Sequence, residues 1–220
     1  MNTNPKAIKI LCYGDSNTWG YDPVSEKRYP VGVRWTSILQ DKLGQEYWII
    51  EEGLNGRTTN IDDPTKNWRN GFTFLRTCLE SHNPIDLVIL FLGTNDMKNQ
   101  FERQPEDLAD ALGLLIEEIK TSSKDIFEEV SKVIVISPPL IDESIDGVLK
   151  TFNGAEKKSK KLGKFVRQVA NEHHVGFLDI ATIVQPSDKD GIHLDQKGHK
   201  VIAETLQIKI AEMCKNSRFD

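Results

Sequence analysis

Five short apolar runs divide the chain: Ile8–Tyr13, Tyr47–Ile50, Leu87–Leu92, Val133–Ile136 and Val175–Leu178. Short apolar runs bounded by turn residues predict buried strands. Between them the pattern changes period. Within Arg34–Leu43, the residues Trp35, Ile38, Leu39 and Leu43 share one helical face, and Gly44 supplies a stop. Phe72–Ser81 predicts another helix. Pro105-Glu106-Asp107 is a helix start, followed by a stripe at Leu108, Leu112, Leu115, Ile116 and Ile119. Ala155–His173 and Gln196 to about Cys214 predict two more helices, the last capped by Asp195. Short buried strands alternating with helices predict an α/β fold with a five-stranded, parallel, doubly wound sheet. Three stretches lack either period. Tyr21–Val33, with Pro23 and Pro30, is placed to line the mouth of a site. Glu51–Thr59 reads as a turn-rich loop, and Leu140–Thr151 as a cover for the site or an interface.

Composition narrows the class. A chain of 220 residues fits one domain over 1–220, and 38% hydrophobic with 28% charged residues is ordinary for a soluble globular protein. A net charge of −5 and the absence of base-reading motifs argue against a nucleic-acid partner. The lysines of Ala155–His173 (Lys157, Lys158, Lys160, Lys161, Lys164) read as a solvated helix face rather than an anion-binding patch. Cys12, Cys78 and Cys214 are odd in number and widely spaced, which predicts reduced, mostly buried thiols. Met1–Ile10 has no signal-peptide character, and no run approaches the roughly 18–20 apolar residues of a membrane span. The expectation is a cytoplasmic protein with no membrane partner.

Candidate chemistry begins at Gly14-Asp15-Ser16. Ser16 follows the carboxyl end of the first strand, where open α/β sheets place ligands. A serine hydroxyl is a weak nucleophile. It needs a base in hydrogen-bond reach, a group that orients the base, and donors for an oxyanion. The other reading of the tripeptide is a turn in which Asp15 and Ser16 bond nearby backbone amides. Three further loops follow strand ends: Asn55-Gly56, Gly93-Thr94-Asn95-Asp96, and Asp190-Gly191-Ile192-His193. In a parallel sheet these share one edge. His82, His173 and His174 fall near helix ends, and His199 lies inside the last helix, where a packing or surface role is expected. His193 alone sits in a loop on the predicted edge. Asp190, three residues earlier, is placed either to hold the His193 Nδ1–H or to cap backbone amides. The Ser16 N–H, the Gly56 N–H and the Asn95 amide are the candidate oxyanion donors. As alternatives, Gly56 is a plain turn glycine and Asn95 a turn asparagine bonding its own loop.

Together these loops resemble the SGNH (GDSL-like) hydrolase family, with the four motifs in family order over nearly the whole chain. Gly14-Asp15-Ser16-Asn17-Thr18-Trp19-Gly20, Val33-Arg34-Trp35-Thr36, Glu51 through Pro64 and Leu92-Gly93-Thr94-Asn95-Asp96 look like its arylesterase/acyltransferase branch. The resemblance implies a three-layer α/β/α, flavodoxin-like sandwich and a Ser16–His193–Asp190 triad. It also implies an oxyanion hole from Ser16, Gly56 and Asn95, no metal or cofactor, and a homo-oligomer. Asn17 stands where the family pattern has leucine, at a position expected to carry no chemistry. The expected activity is hydrolysis of small carboxylic esters through an acyl-enzyme on Ser16. Acyl transfer to alcohols would follow if Trp19, Trp35 and Trp68 wall a narrow apolar site rather than pack in the core. A carbohydrate acetyl esterase using the same triad is the alternative. Two other classes stay open: a small-ligand binding module, and a metal-dependent hydrolase using Asp15, Asp96, Asp190 and His193, whose spacing matches no recognisable ligand pattern.

Overall fold

The computed structural model describes residues 2–127 and 131–216. In chain order the elements are β1 (Ile8–Gly14), α1 (Ser16–Trp19), α2 (Trp35–Leu43), β2 (Tyr47–Gly53), α3 (Gly71–His82), β3 (Leu87–Phe91) and α4 (Pro105–Phe127). They continue with β4 (Lys132–Ser137), α5 (Leu149–Phe152), α6 (Ala155–Glu172), β5 (Gly176–Asp179) and α7 (Gln196–Asn216). The five strands form one sheet in the order β2-β1-β3-β4-β5, every pair parallel.

Side-chain alternation along each strand builds two cores, one on each face. Leu11 and Tyr13 of β1, Val88 and Leu90 of β3, and Val133 and Val135 of β4 pack with α3, α4 and α6. Ile10 and Cys12, Leu87, Ile89 and Phe91, and Ile134 and Ile136 point the other way, against α2 and α7. Helices on both sheet faces make the doubly wound sheet expected from the alternating pattern and the three-layer sandwich implied by the resemblance. Cys12 and Cys78 are free and buried, and the Cys214 side chain lies outside the described residues. Lys157, Lys160, Lys161 and Lys164 are exposed on α6, a solvated face. Among the described residues, no helix is long and apolar enough to cross a membrane.

Two local expectations fail. Glu51, Glu52 and Gly53 belong to β2, not to a turn-rich loop, and pair in register with Cys12, Tyr13 and Gly14 of β1. Their charges do not break the strand because each is answered. Glu51 accepts from Arg34 at 3.0 and 2.9 Å, from Arg28 at 3.1 Å and from the Thr36 hydroxyl, while Glu52 lies 2.8 Å from His82 Nε2. The second failure is α1, a single helical turn that begins at Ser16 itself. Four residues are too few to show a helical period.

β1 lies between β2 and β3, where the strand order reverses, so the chain diverges there into connections on opposite faces. Such switch points open a crevice at the carboxyl ends of the strands. Ser16 follows β1 at this crevice.

Candidate active site

Asp15 caps α1. Its Oδ1 accepts the Asn17 N–H at 2.9 Å, so the turn reading of Gly14-Asp15-Ser16 is correct and compatible with chemistry at Ser16. As the first residue of the helix, Ser16 carries a backbone N–H without an intrahelical partner. The helix lies hard against the sheet edge. A Cβ on Gly53 would sit 2.1 Å from the Trp19 nitrogen, so only glycine lets β2 and α1 approach this closely.

The loop after β5 brings His193 to Ser16. His193 Nε2 lies 2.9 Å from Ser16 Oγ, and His193 Nδ1 lies 2.5 Å from Asp190 Oδ2. With Nδ1–H donating to the carboxylate, Nε2 is left as an acceptor for the serine hydroxyl. Both readings of Asp190 hold at once, because its other oxygen accepts the Ile192 and His193 N–H groups at 3.1 and 3.0 Å. Burial pushes the Asp190 carboxyl up, but the His193 hydrogen bond and charge and these two amides hold it below its ordinary value. The Tyr21 ring lies over the His193 imidazole with centroids 4.3 Å apart, so the Tyr21–Val33 segment does reach the site. The Leu140–Thr151 segment also packs on the loop: Asp142 N–H donates to the Gly191 carbonyl at 2.9 Å.

Two more loops meet the end of β1. The Gly14 carbonyl accepts from the Leu54 N–H at 3.1 Å and from the Arg57 guanidinium at 2.8 Å. Arg57 is buried with its guanidinium carbon 4.1 Å from the Tyr13 ring centroid, and its own carbonyl accepts from Asn95 Nδ2 at 3.0 Å. These bonds tie the loops of Gly56 and Asn95 to the strand end that carries Ser16. Gly56 adopts φ +81°, a left-handed conformation that favours glycine, and its N–H donates to no protein acceptor among the described residues. The Asn95 amide uses one hydrogen on Arg57 and has a second available. It bonds a different loop, not its own. Asp96 locks the same two loops, accepting the Thr59 N–H at 3.0 Å, the Thr59 hydroxyl at 2.5 Å and Arg103 at 3.1 Å.

Three residues outside the expected site help to assemble it. Arg57 and Tyr21 are two. Asn17 is the third, a positioning residue at a site expected to carry no chemistry. Asn17 is buried, and its Oδ1 accepts the Leu194 N–H at 3.0 Å. A leucine there could not tie the turn that carries Ser16 to the residue following His193.

The remaining candidates separate. His199 is buried in the core, where its Nδ1 accepts the Trp35 N–H at 3.2 Å, and burial first, then the charges of His193 and Arg34, push it down to about 3. Trp35 is fully buried and donates its indole N–H to the Asn17 carbonyl, the core-packing alternative, whereas Trp68 is 89% exposed. Among the described residues, Asp15, Asp96, Asp190 and His193 do not bring three ligand atoms together in the manner of a metal centre. Asp15 is wholly buried and only Oδ1 is hydrogen-bonded. Burial raises its carboxyl to about 6, against the opposing pull of the Asn17 amide and the His193 charge.

The chain is similar to known proteins. The family model for the GDSL-like lipase/acylhydrolase family matches residues 12–201. A native M. smegmatis aryl esterase structure is 38% identical with a TM-score of 0.88, covering 94% of this chain and 99% of its own. A carbohydrate acetylesterase from Sinorhizobium meliloti is 37% identical with a TM-score of 0.88, over the same shares. Comparison with curated protein sequences gives no match. The chain belongs to the GDSL-like lipase/acylhydrolase family and is an esterase of that family.

Proposed function

We propose that this protein, acting as one hydrolase domain over 1–220, hydrolyses small carboxylic esters through an acyl-enzyme on Ser16. The observation that carries the proposal is the run of hydrogen bonds from Asp190 Oδ2 through His193 to Ser16 Oγ, at 2.5 and 2.9 Å. His193 Nε2 takes the serine proton as Oγ attacks the ester carbonyl. Asp190 keeps the imidazole in the reactive tautomer and stabilises the imidazolium. The Ser16 N–H, the Gly56 N–H and the second Asn95 amide hydrogen receive the developing oxyanion. His193 then protonates the departing alcohol, and water, activated by the same imidazole, releases the acid. An alcohol in place of water gives acyl transfer, a second outcome of the same intermediate.

The free, buried Cys12 and Cys78 support a reducing, cytoplasmic setting, and a homo-oligomer is part of the proposal, tested by light scattering. The resemblance to a carbohydrate acetylesterase motivates one competing reading of substrate. Release of acetate from aryl and alkyl acetates is compared with release from acetylated sugars, for the wild type and Ser16→Ala. The proposal expects higher kcat/KM on the simple esters and loss of both activities in the variant. Preference for acetylated sugars supports the competing substrate, and turnover retained by Ser16→Ala refutes the acyl-enzyme.

A further inference from the structure

Neighbouring residues of β2 face opposite sides of the sheet. Glu51 points toward α2, where Arg34 and Thr36 bind it. Glu52 points toward α3 and meets a group of side chains that ester chemistry does not use. Cys78 and His82 are four residues apart on α3, one above the other on a single face. His82 Nε2 lies 2.8 Å from Glu52 Oε1. One ligand atom each from Glu52, Cys78 and His82 all fall within 4.8 Å of one another, the one such group among the described residues.

The donor set is one oxygen, one thiol sulfur and one imidazole nitrogen. That mixture suits a borderline-soft dication of the zinc type, not magnesium or calcium, which take oxygen ligands. Bond lengths of about 2.0–2.1 Å to nitrogen and 2.3 Å to sulfur in a tetrahedron put ligand atoms about 3.5 Å apart. Modest side-chain rotations therefore close the group around an ion. Access is graded in the right order: Glu52 and His82 are part-exposed, and Cys78, 1% exposed, forms the floor.

The charges nearby act in both directions. Burial, then the Glu52 carboxylate, push the Cys78 thiol up to about 12, and the Arg57 guanidinium pulls it back. Coordination to a dication overcomes such a shift, since a coordinating thiol loses its proton outright.

We propose that Glu52, Cys78 and His82 form a Zn2+ site that clamps β2 to α3, with water completing the tetrahedron. As the metal–sulfur bond forms, the Cys78 proton passes to solvent. The His82 proton that faces Glu52 moves to Nδ1, which leaves the Nε2 lone pair for the ion. The Glu52 carbonyl also accepts from Arg57, the side chain that holds the Gly14 carbonyl, so an ion here braces the strand leading to Gly56. The proposal stands independently of the ester chemistry.

The test is a titration of the full, chelator-treated protein with Co2+, followed by addition of Zn2+. The expected result is one equivalent of cobalt giving a near-ultraviolet thiolate-to-cobalt charge-transfer band that zinc abolishes. Cys78→Ala removes the band, and His82→Gln, at a part-exposed position, weakens cobalt binding about tenfold or more. No band at stoichiometric cobalt, or one that needs a large excess, overturns the site. A band that persists in Cys78→Ala assigns the sulfur to another cysteine and also overturns it. Binding unchanged in His82→Gln likewise overturns it, and leaves the Glu52–His82 contact as only a hydrogen bond between β2 and α3.

Discussion

Replacing Asp15 by asparagine should change how stability depends on pH far more than it changes the fold. Asp15 is wholly buried, with Oδ1 on the Asn17 amide and Oδ2 unpartnered. Burial lifts its carboxyl from 3.8 to about 6. A carboxyl whose folded value exceeds its unfolded value binds more protons in the folded state. Its contribution is therefore fully present below about pH 4 and is lost as pH rises through about 6. A shift of about two units at 1.36 kcal/mol each makes that loss about 3 kcal/mol. Asparagine keeps the cap through its own Oδ1 and cannot ionise, so the variant escapes the loss. Its unpartnered Nδ2 adds a cost of about 1–3 kcal/mol that does not vary with pH. Urea unfolding of both proteins between pH 4 and 7.5 isolates the effect, because carboxylates common to both cancel in the difference. The variant should gain about 2.4 kcal/mol of this on the wild type between pH 4 and 7. Turnover should nonetheless fall several-fold at pH 7, because the Asp15 charge that interacts with His193 is gone. A stability difference flat across this range would refute the buried-carboxylate reasoning.

Three other substitutions probe separate parts of the structure. Asn95→Ala removes one proposed oxyanion donor and should lower kcat about 10²–10³-fold with KM little changed, as read by steady-state kinetics. Asn17→Leu leaves the Leu194 N–H without its acceptor. It should cost about 1–3 kcal/mol by urea unfolding and reduce kcat by loosening the His193 loop. Gly53→Ala puts a methyl 2.1 Å from the Trp19 nitrogen, which cannot move without α1, and thermal unfolding should show a loss of about 3 kcal/mol or more.

The strands and long helices follow from residues whose periods are local. Val88 and Ile89 divide between the two cores as the strand period requires, and the α4 stripe from Leu108 to Ile119 is buried as its spacing implies. The pair Asp190 and His193 is readable for the same reason, since three residues separate them. What escapes depends on partners distant in sequence. Glu51 and Glu52 continue β2 because Arg34 and His82 answer their charges, and nothing within the stretch Glu51–Thr59 announces those partners. Asn17 acts on Leu194, 177 residues away, and Arg57 on Gly14, 43 residues away. A buried arginine in a turn-rich loop has no periodic signature. The convergence of Gly56 and Asn95 on the end of β1 follows from topology, but the hydrogen bonds that fix it do not.

Ser16 as an activated nucleophile is tested most directly with a fluorophosphonate, by intact mass and by mapping the modified peptide. The hydrogen-bonded Ser16–His193–Asp190 arrangement predicts a single adduct, located on Ser16 and absent from Ser16→Ala. A folded wild-type protein that takes no label, or one labelled elsewhere, would contradict it.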